Sequence, residues 1–285
     1  MYFADYDRGF DMKIIDTFSQ ITGCFTNNIF NIENWEKYAN AISPNLAVKL
    51  RADIADYNFQ DDVFPLLNSV AHHFDQLNVA HQSFLLLTDG LPEKIQNILQ
   101  TDLNVSIIFY LGLCNGAGWA TELDGNPVIL LGVEKIIELS WQNTSNMAGL
   151  IYHELGHIWH NKTRLETKRP YKSKALWQLY REGIAMFIEQ LLMQNKTLYH
   201  QDKNGWANWC ETNRQKLYKV FLQRINDEES THDFFGDWNH YEGRSDIGYY
   251  LGCEMIKKLS TKHSLFELAN LEEADILEQL KSLAR

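Results

Sequence analysis

One five-residue segment, His153-Glu154-Leu155-Gly156-His157, constrains the fold more than any other part of the chain. Two histidines four residues apart face the same side of an α-helix, about 40° apart in angle and about one turn apart along the axis. The preceding Met147, Leu150 and Ile151 add an apolar stripe, which is typical of a helix that faces a core. The segment therefore predicts a buried helix whose two imidazoles can bind one zinc ion.

The glutamate inside this segment has a separate predicted role. Glu154 lies about 100° around the helix from His153, where a carboxylate reaches a zinc-activated water rather than the ion itself. We therefore predict that Glu154 is the general base for attack of water on a carbonyl.

A catalytic zinc also needs a third protein ligand. His160 is a poor third ligand because it lies about a turn further along the helix from His153, and the metzincin spacing is absent.

Glu182 is the preferred third ligand. It lies in a second stretch of helical spacing that runs from about Ala175 to Met193. The intervening residues, 158–181, are long enough to end one helix and bring a second helix back across it. The face that carries Glu182 is mostly apolar, so a carboxylate there needs a charged partner. Glu189 and Glu166 are the alternative ligands. The alternative interpretation of Glu182 is that it is a surface residue and binds no metal.

These residues resemble the gluzincin zinc peptidases, in which the two histidines of H-E-x-x-H and a downstream glutamate bind zinc. The run Glu182-Gly183-Ile184-Ala185 is similar to the Glu-Gly-x-Ala motif of uncharacterised bacterial proteins that are predicted zinc-dependent proteases. A more distant resemblance is to the aminopeptidase N group. Ile158-Trp159-His160-Asn161 is similar to its extension after the second histidine, and Tyr249-Tyr250-Leu251-Gly252 to its Tyr-x-x-Gly helix. The resemblance implies zinc bound by His153, His157 and Glu182.

The same resemblance implies that Tyr249 donates a hydrogen bond to the oxyanion of a tetrahedral intermediate. An aromatic packing role is the alternative for Tyr249, and Tyr250 is its nearest substitute. The aminopeptidase group recognises the free amine of its substrate partly through a Gly-x-Met-Glu-Asn segment. The nearest run here, 116–120, lacks the glutamate. The resemblance therefore leaves both endopeptidase and exopeptidase action open.

The pattern of apolar residues predicts an α+β fold in which helices dominate. Short apolar or β-branched runs predict three strands, at Phe84–Leu87, Val105–Tyr110 and Val128–Leu131. Asp124-Gly125 predicts a hairpin. The spacing is helical from about Met12 to Gln82 and again from Asn143 onward, apart from an aromatic loop around 234–243. We expect a zincin-like fold, with a small mixed sheet that has an antiparallel edge strand and packs on the zinc-binding helices.

Changes of periodicity also divide the chain into three predicted regions. These are a helical N-terminal region (1–82), a catalytic core of sheet plus zinc-binding helices (83–195), and a helical C-terminal region (196–285).

Composition narrows the classes of function. The net charge of −11 disfavours nucleic acid and anionic membranes as partners. Residues 1–8 carry no basic stretch leading into an apolar run, no segment approaches a membrane span, and the four cysteines are far apart. We therefore expect a cytoplasmic zinc metallopeptidase that acts on peptide or protein substrates, with reduced cysteines. The alternative is a zinc-binding protein without peptidase activity, with a structural or partner-binding role, although such a site has no need of Glu154.

Overall fold

The computed structural model describes residues 12–236 and 238–285, which fall into two compact units with a boundary between Ala148 and Gly149. Residues 1–8, whose sequence has no basic stretch leading into an apolar run, lie outside the described residues. The strands are β1 (Met12–Asp16), β2 (Phe25–Thr26), β3 (Ile29–Phe30), β4 (Val105–Tyr110), β5 (Gly118–Leu123) and β6 (Asn126–Gly132). The helices of the first unit are α1 (Phe18–Ile21), α2 (Ile32–Ile42), α3 (Leu46–Asp53), α4 (Phe64–Val70), α5 (Phe74–Thr88), α6 (Leu91–Leu99) and α7 (Val133–Glu138). Those that follow are α8 (Thr144–Thr163), α9 (Lys174–Leu192), α10 (Trp206–Asn226), α11 (Ile247–Leu259), α12 (Leu265–Ala269) and α13 (Glu273–Leu283).

The first unit is built around a four-stranded mixed sheet in the order β1-β4-β6-β5. Strands β1, β4 and β6 are parallel neighbours, and β5 pairs with β6 in the antiparallel sense at one edge. The two inner strands are almost wholly buried, which explains their continuous apolar runs. The predicted α+β class, with a small mixed sheet and an antiparallel edge strand, is confirmed.

The predicted hairpin at Asp124-Gly125 is also confirmed. The two residues connect β5 to β6, with Leu123 paired to Asn126. Both have positive φ, 53° and 76°, which is the backbone conformation of the tight turn that joins twisted antiparallel strands. Glycine takes this conformation at little cost, and aspartate is among the residues that tolerate it best.

The predicted strand at Phe84–Leu87 is wrong, because these residues lie in the last turns of α5. Phe84 faces the core together with Leu77 and Ala80 of the same helix, whereas Leu85 and Leu86 are exposed. A short run of apolar residues has no periodicity of its own, so it does not distinguish a strand from the end of a helix. The spacing of the buried apolar residues over the whole of α5 is the pattern that indicates a helix.

The spacing from Met12 to Gln82 predicted only helices for the N-terminal region, but this region also contains strands. Met12–Asp16 forms the strand β1, and the short strands β2 and β3 form a two-stranded antiparallel sheet. The partner of β1 is β4, about ninety residues away in sequence. None of the five residues of this edge strand is buried, so the strand lacks the alternation of buried apolar and exposed polar residues by which a strand is recognised. The later helices of this region, α2 to α5, agree with the prediction.

The second unit is helical, and its centre is a close crossing of α9 and α11. A Cβ atom built on Gly183 would lie 2.5 Å from the carbonyl carbon and oxygen of Gly252. A Cβ atom on Gly252 would lie 2.4 Å from the backbone oxygen of Leu179 and 2.8 Å from the Cα atom of Gly183. The two helices therefore touch backbone to backbone, which only glycine permits at these positions.

The four cysteines all lie within the described residues and are not paired with one another there, and Cys24, Cys210 and Cys253 are buried. Within 12–236 and 238–285, no helix is both long and apolar enough to cross a lipid bilayer. The division of the chain at residues 82 and 195 stays a prediction.

Candidate metal centre

Helix α8 presents the two histidines of the motif side by side. His153 and His157 lie on successive turns, each 4% exposed, and their rings are nearly perpendicular with centroids 4.8 Å apart. Residues 151–160 are buried without exception, so this part of α8 is surrounded by protein on all sides. A helix in that position is expected to be apolar all round. The histidines are therefore exceptions that need polar partners inside the protein.

A third glycine brings α9 against α8 at the level of the histidines. A Cβ atom on Gly156 would lie 2.8 Å from the Cα atom of Ala185 and 2.9 Å from its carbonyl oxygen. Gly156 lies between the histidines in sequence, and Ala185 is one turn after Glu182. The small residues of the two helices therefore place the Glu182 carboxylate opposite the imidazoles.

The side chains of His153, His157 and Glu182 converge on one point. Oε2 of Glu182 lies 3.3 Å from Nε2 of His153 and 3.0 Å from Nε2 of His157. All three potential ligand atoms lie within 4.8 Å of one another. Tetrahedral zinc ligands at about 2.0–2.2 Å from the ion are themselves roughly 3.3–3.6 Å apart. Two nitrogens and one oxygen at this spacing are a donor set that fits zinc.

The protonation of Glu182 agrees with that donor set. Burial alone would raise the pKa of this carboxyl group, but attraction to His157 and hydrogen bonds from both histidines outweigh it. The pKa of Glu182 consequently lies well below its usual value, and the side chain is a carboxylate. Arg181 adds a cation 3.7 Å from the other oxygen, Oε1.

Glu154 and Tyr249 lie in the same unit as the convergent triad. Glu154 is buried on α8 between the two histidines in sequence. Tyr249 lies near the start of α11, and its ring centroid is 5.6 Å from that of His153. Burial raises the pKa of the Tyr249 phenol well above its usual value, as do the charges of Glu182, Asp246 and Glu154. Tyr249 is therefore a protonated hydrogen-bond donor beside the cluster.

The position of Tyr249 depends on its neighbours. Phe235 contacts the Tyr249 ring, with centroids 5.8 Å apart. Phe235 itself occupies space that only a glycine at position 248 leaves, since a Cβ atom there would lie 2.4 Å from its ring. Tyr250 points elsewhere, because its hydroxyl donates a hydrogen bond to Glu211 and its ring packs against Tyr199 and Trp206.

The other sequence candidates do not join the convergent group. The ring of His160 packs against Trp177 and Tyr180, and its Nε2 donates to the carbonyl oxygen of Ala269 at 3.2 Å. Burial is the largest cause that lowers the pKa of His160, to about 3, so its ring is neutral. Glu166 is exposed in the connection between α8 and α9.

Glu189 lies behind the cluster rather than in it. Its Oε2 atom is 3.7 Å from Nδ1 of His153, on the opposite edge of the ring from Nε2, and 2.9 Å from Nδ1 of His200. His200 was not among the residues predicted for the site. No motif marks this histidine, and it reaches Glu189 only because the chain folds back after α9.

A buried cluster of two histidines and a glutamate defines a candidate metal centre of the type that catalytic zinc proteins use. Residues 29–275 match the model of the family described as "Putative zinc dependent peptidase (DUF5700)", and the chain belongs to this family. Neither the curated proteins nor the solved structures include a match to the chain.

Proposed function

We propose that the protein is a zinc-dependent peptidase of the gluzincin type, with zinc held by His153, His157 and Glu182. The observation that carries this proposal is the convergence of two imidazole Nε2 atoms and one carboxylate oxygen at a buried point. Membership of a family described as zinc-dependent peptidases supports it. A zincin-like fold and the more distant relation to the aminopeptidase N group are part of the same proposal.

The chemistry divides between the metal and two side chains. When bound, zinc polarises the carbonyl of the peptide bond and makes water a better nucleophile. Glu154 accepts the proton that the attacking water loses as the new C–O bond forms. It then delivers that proton to the departing amine as the C–N bond breaks. The position of Glu154 next to His153 in sequence, on the same buried helix, supports this role.

Tyr249 has the properties of an oxyanion donor. Its raised pKa keeps the phenol protonated, and its ring lies beside that of His153. In this proposal the Tyr249 hydroxyl donates a hydrogen bond to the negative oxygen that develops as water attacks. Such a bond accelerates the reaction because it is stronger to the oxyanion than to the original carbonyl.

Zinc content tests the ligand assignment directly. Elemental analysis of purified wild-type protein is expected to give about one zinc per chain, and His153→Ala and Glu182→Ala are expected to lose most of it, since three protein ligands hold a catalytic zinc. Circular dichroism would establish that each variant is folded. His160→Gln is the matched control, because His160 is equally buried on α8 but bonds to Ala269.

The control is expected to keep the full zinc content. Normal zinc occupancy in a folded Glu182→Ala protein would overturn the assignment of Glu182 as a ligand. Absence of zinc from the wild-type protein, even after zinc is added back, would overturn the proposed function as a whole.

Tyr249→Phe is expected to reduce kcat by about 10²–10³-fold, because it removes one oxyanion donor. Zinc content and KM should stay close to the wild-type values. Steady-state kinetics on a peptide substrate would measure the change. Tyr250→Phe is the control, since its hydroxyl bonds to Glu211 and it differs from Tyr249 by one position. A larger fall in kcat for Tyr250→Phe would contradict the assignment.

A further inference from the structure

A buried, hydrogen-bonded pair of a glutamate and a histidine lies directly behind one of the two histidines of the candidate metal centre. Glu189 on α9 is 0% exposed and His200, in the segment after α9, is 5% exposed. The Glu189 Oε2 atom accepts a hydrogen bond from Nδ1 of His200 at 2.9 Å, and Oε1 accepts one from the His200 backbone N–H at 3.4 Å. Two hydrogen bonds from one residue therefore fix the orientation of this carboxylate.

Helix α8 has a specific space for this pair. A Cβ atom on Gly149 would lie 2.5 Å from Cβ of His200 and 3.0 Å from Oε1 of Glu189. Gly149 precedes His153 by four residues, so it lies one turn away on the same face of α8. Any larger residue at position 149 would displace the pair from its place behind the His153 ring.

The pair directs an acceptor towards an imidazole nitrogen that lacks one. Nδ1 of His153 is buried and has no hydrogen-bond partner within the described residues. The nearest carboxylate oxygen on that edge of the ring is Oε2 of Glu189, at 3.7 Å. A histidine that binds a metal through Nε2 carries its proton on Nδ1, and that N–H normally requires an oxygen acceptor.

Burial of Glu189 also requires compensation. A carboxylate removed from water is costly unless it is paired. In the described structure, the imidazole nitrogens within 4 Å of its carboxyl oxygens belong to His153, at 3.7 Å, and His200, at 2.9 Å. A cation bound on the far side of the His153 ring would polarise the Nδ1–H group and strengthen its attraction to Glu189.

We propose that Glu189, held by His200, accepts a hydrogen bond from Nδ1 of His153 when Nε2 of that histidine binds zinc, closing the separation of 3.7 Å, and thereby orients and strengthens the ligand. Glu189 and His200 are positioning residues that act through His153. This inference rests on the proposed function, because it assumes that Nε2 of His153 binds zinc. His157 differs, because its Nδ1 is also buried but the carboxylate that lies beside its ring in the described structure, Glu182, is at its Nε2 atom.

The test measures zinc affinity rather than peptidase activity. Competition with a chelator of known affinity would give the zinc Kd of the folded wild-type and variant proteins. Glu189→Gln is expected to weaken zinc binding about 10–100-fold, the usual cost of losing an outer carboxylate. A purely structural role for Glu189 would instead lower the melting temperature of the zinc-free protein and leave its Kd unchanged.

Two substitutions of His200 test the same inference separately. His200→Leu removes the donor to Glu189 and is expected to weaken zinc binding by about tenfold or more. His200→Asn keeps a side-chain amide donor near the position of Nδ1, so this variant should retain most of the zinc affinity that His200→Leu loses. Gln190→Ala is the matched control. Gln190 is a buried neighbour on α9 that bonds to the backbone of Leu198, in the segment that carries His200.

The control is expected to lose stability but to keep the wild-type Kd. A Kd within twofold of wild type for Glu189→Gln would overturn the inference, and so would equal Kd values for the two His200 variants. Such results alongside zinc loss in Glu182→Ala would leave the proposed function intact. A wild-type protein that binds no zinc would overturn both.

Discussion

Glu154→Gln is expected to lower kcat/KM for peptide hydrolysis by about 10²–10⁴-fold while zinc stays bound. The amide keeps the size and polarity of the side chain but does not accept a proton from water. His153, His157 and Glu182 are unchanged, so the metal ligands stay in place. Hydrolysis of an internally quenched peptide library, measured beside elemental zinc analysis, would check both parts of the prediction.

A matched substitution on the surface separates this effect from a general loss of charge. Glu278 is exposed on α13, and Glu278→Gln should retain wild-type activity and zinc content. Undiminished hydrolysis by a zinc-loaded Glu154→Gln protein would contradict the general-base role. A wild-type protein that binds zinc but hydrolyses no peptide would favour the non-peptidolytic alternative.

Gly183→Ala is expected to destabilise the protein by about 1–3 kcal/mol, the range for overpacking a tightly packed interior. The new methyl group would lie 2.5 Å from the backbone of Gly252, where no flexible side chain can yield. Helices α9 and α11 would have to separate, although alanine by itself favours a helix over glycine by about 1 kcal/mol. Thermal unfolding followed by circular dichroism would give the fall in Tm.

The same substitution should also lower the rate of peptide hydrolysis in the protein that remains folded. Glu182 precedes the crossing point on α9, and Tyr249 lies one turn before Gly252 on α11, so a change in helix separation alters their relative position. A displacement of about 1 Å at a catalytic group can cost around 100-fold in rate. Gly23→Ala is the control, because nothing lies within 4 Å of the added Cβ atom. Unchanged Tm and activity in Gly183→Ala would show that the crossing tolerates a methyl group.

Much of the candidate site could be read from local sequence. The five residues from His153 to His157 fix the angular relation of two imidazoles, because helix geometry is the same wherever the helix lies. The apolar face around Glu182 indicated an inward carboxylate, and the structure places its Oε2 within 3.3 Å of both Nε2 atoms. Asp124-Gly125 identified its hairpin for the same local reason, since the turn depends on its own backbone angles.

Features that depend on distant partners could not be predicted in this way. Met12–Asp16 is a strand because β4 supplies its hydrogen bonds, and Phe84–Leu87 is helical because the whole of α5 packs on the core. His200 reaches Glu189 because the chain folds back after α9, and no sequence motif predicts that fold-back. Its proposed role therefore emerges only from the three-dimensional arrangement.

The chemical groups of the candidate site and the helices that carry them could be predicted from sequence, because residue type and helical period are local properties. The distance between those helices depends instead on residues that meet only in the folded chain. Gly156 against Ala185 sets the distance from α8 to α9, and Gly183 against Gly252 sets the distance from α9 to α11. A glycine in a sequence does not reveal which backbone it meets. The packing of the helices at these small residues sets the distances at which two histidines and a glutamate converge.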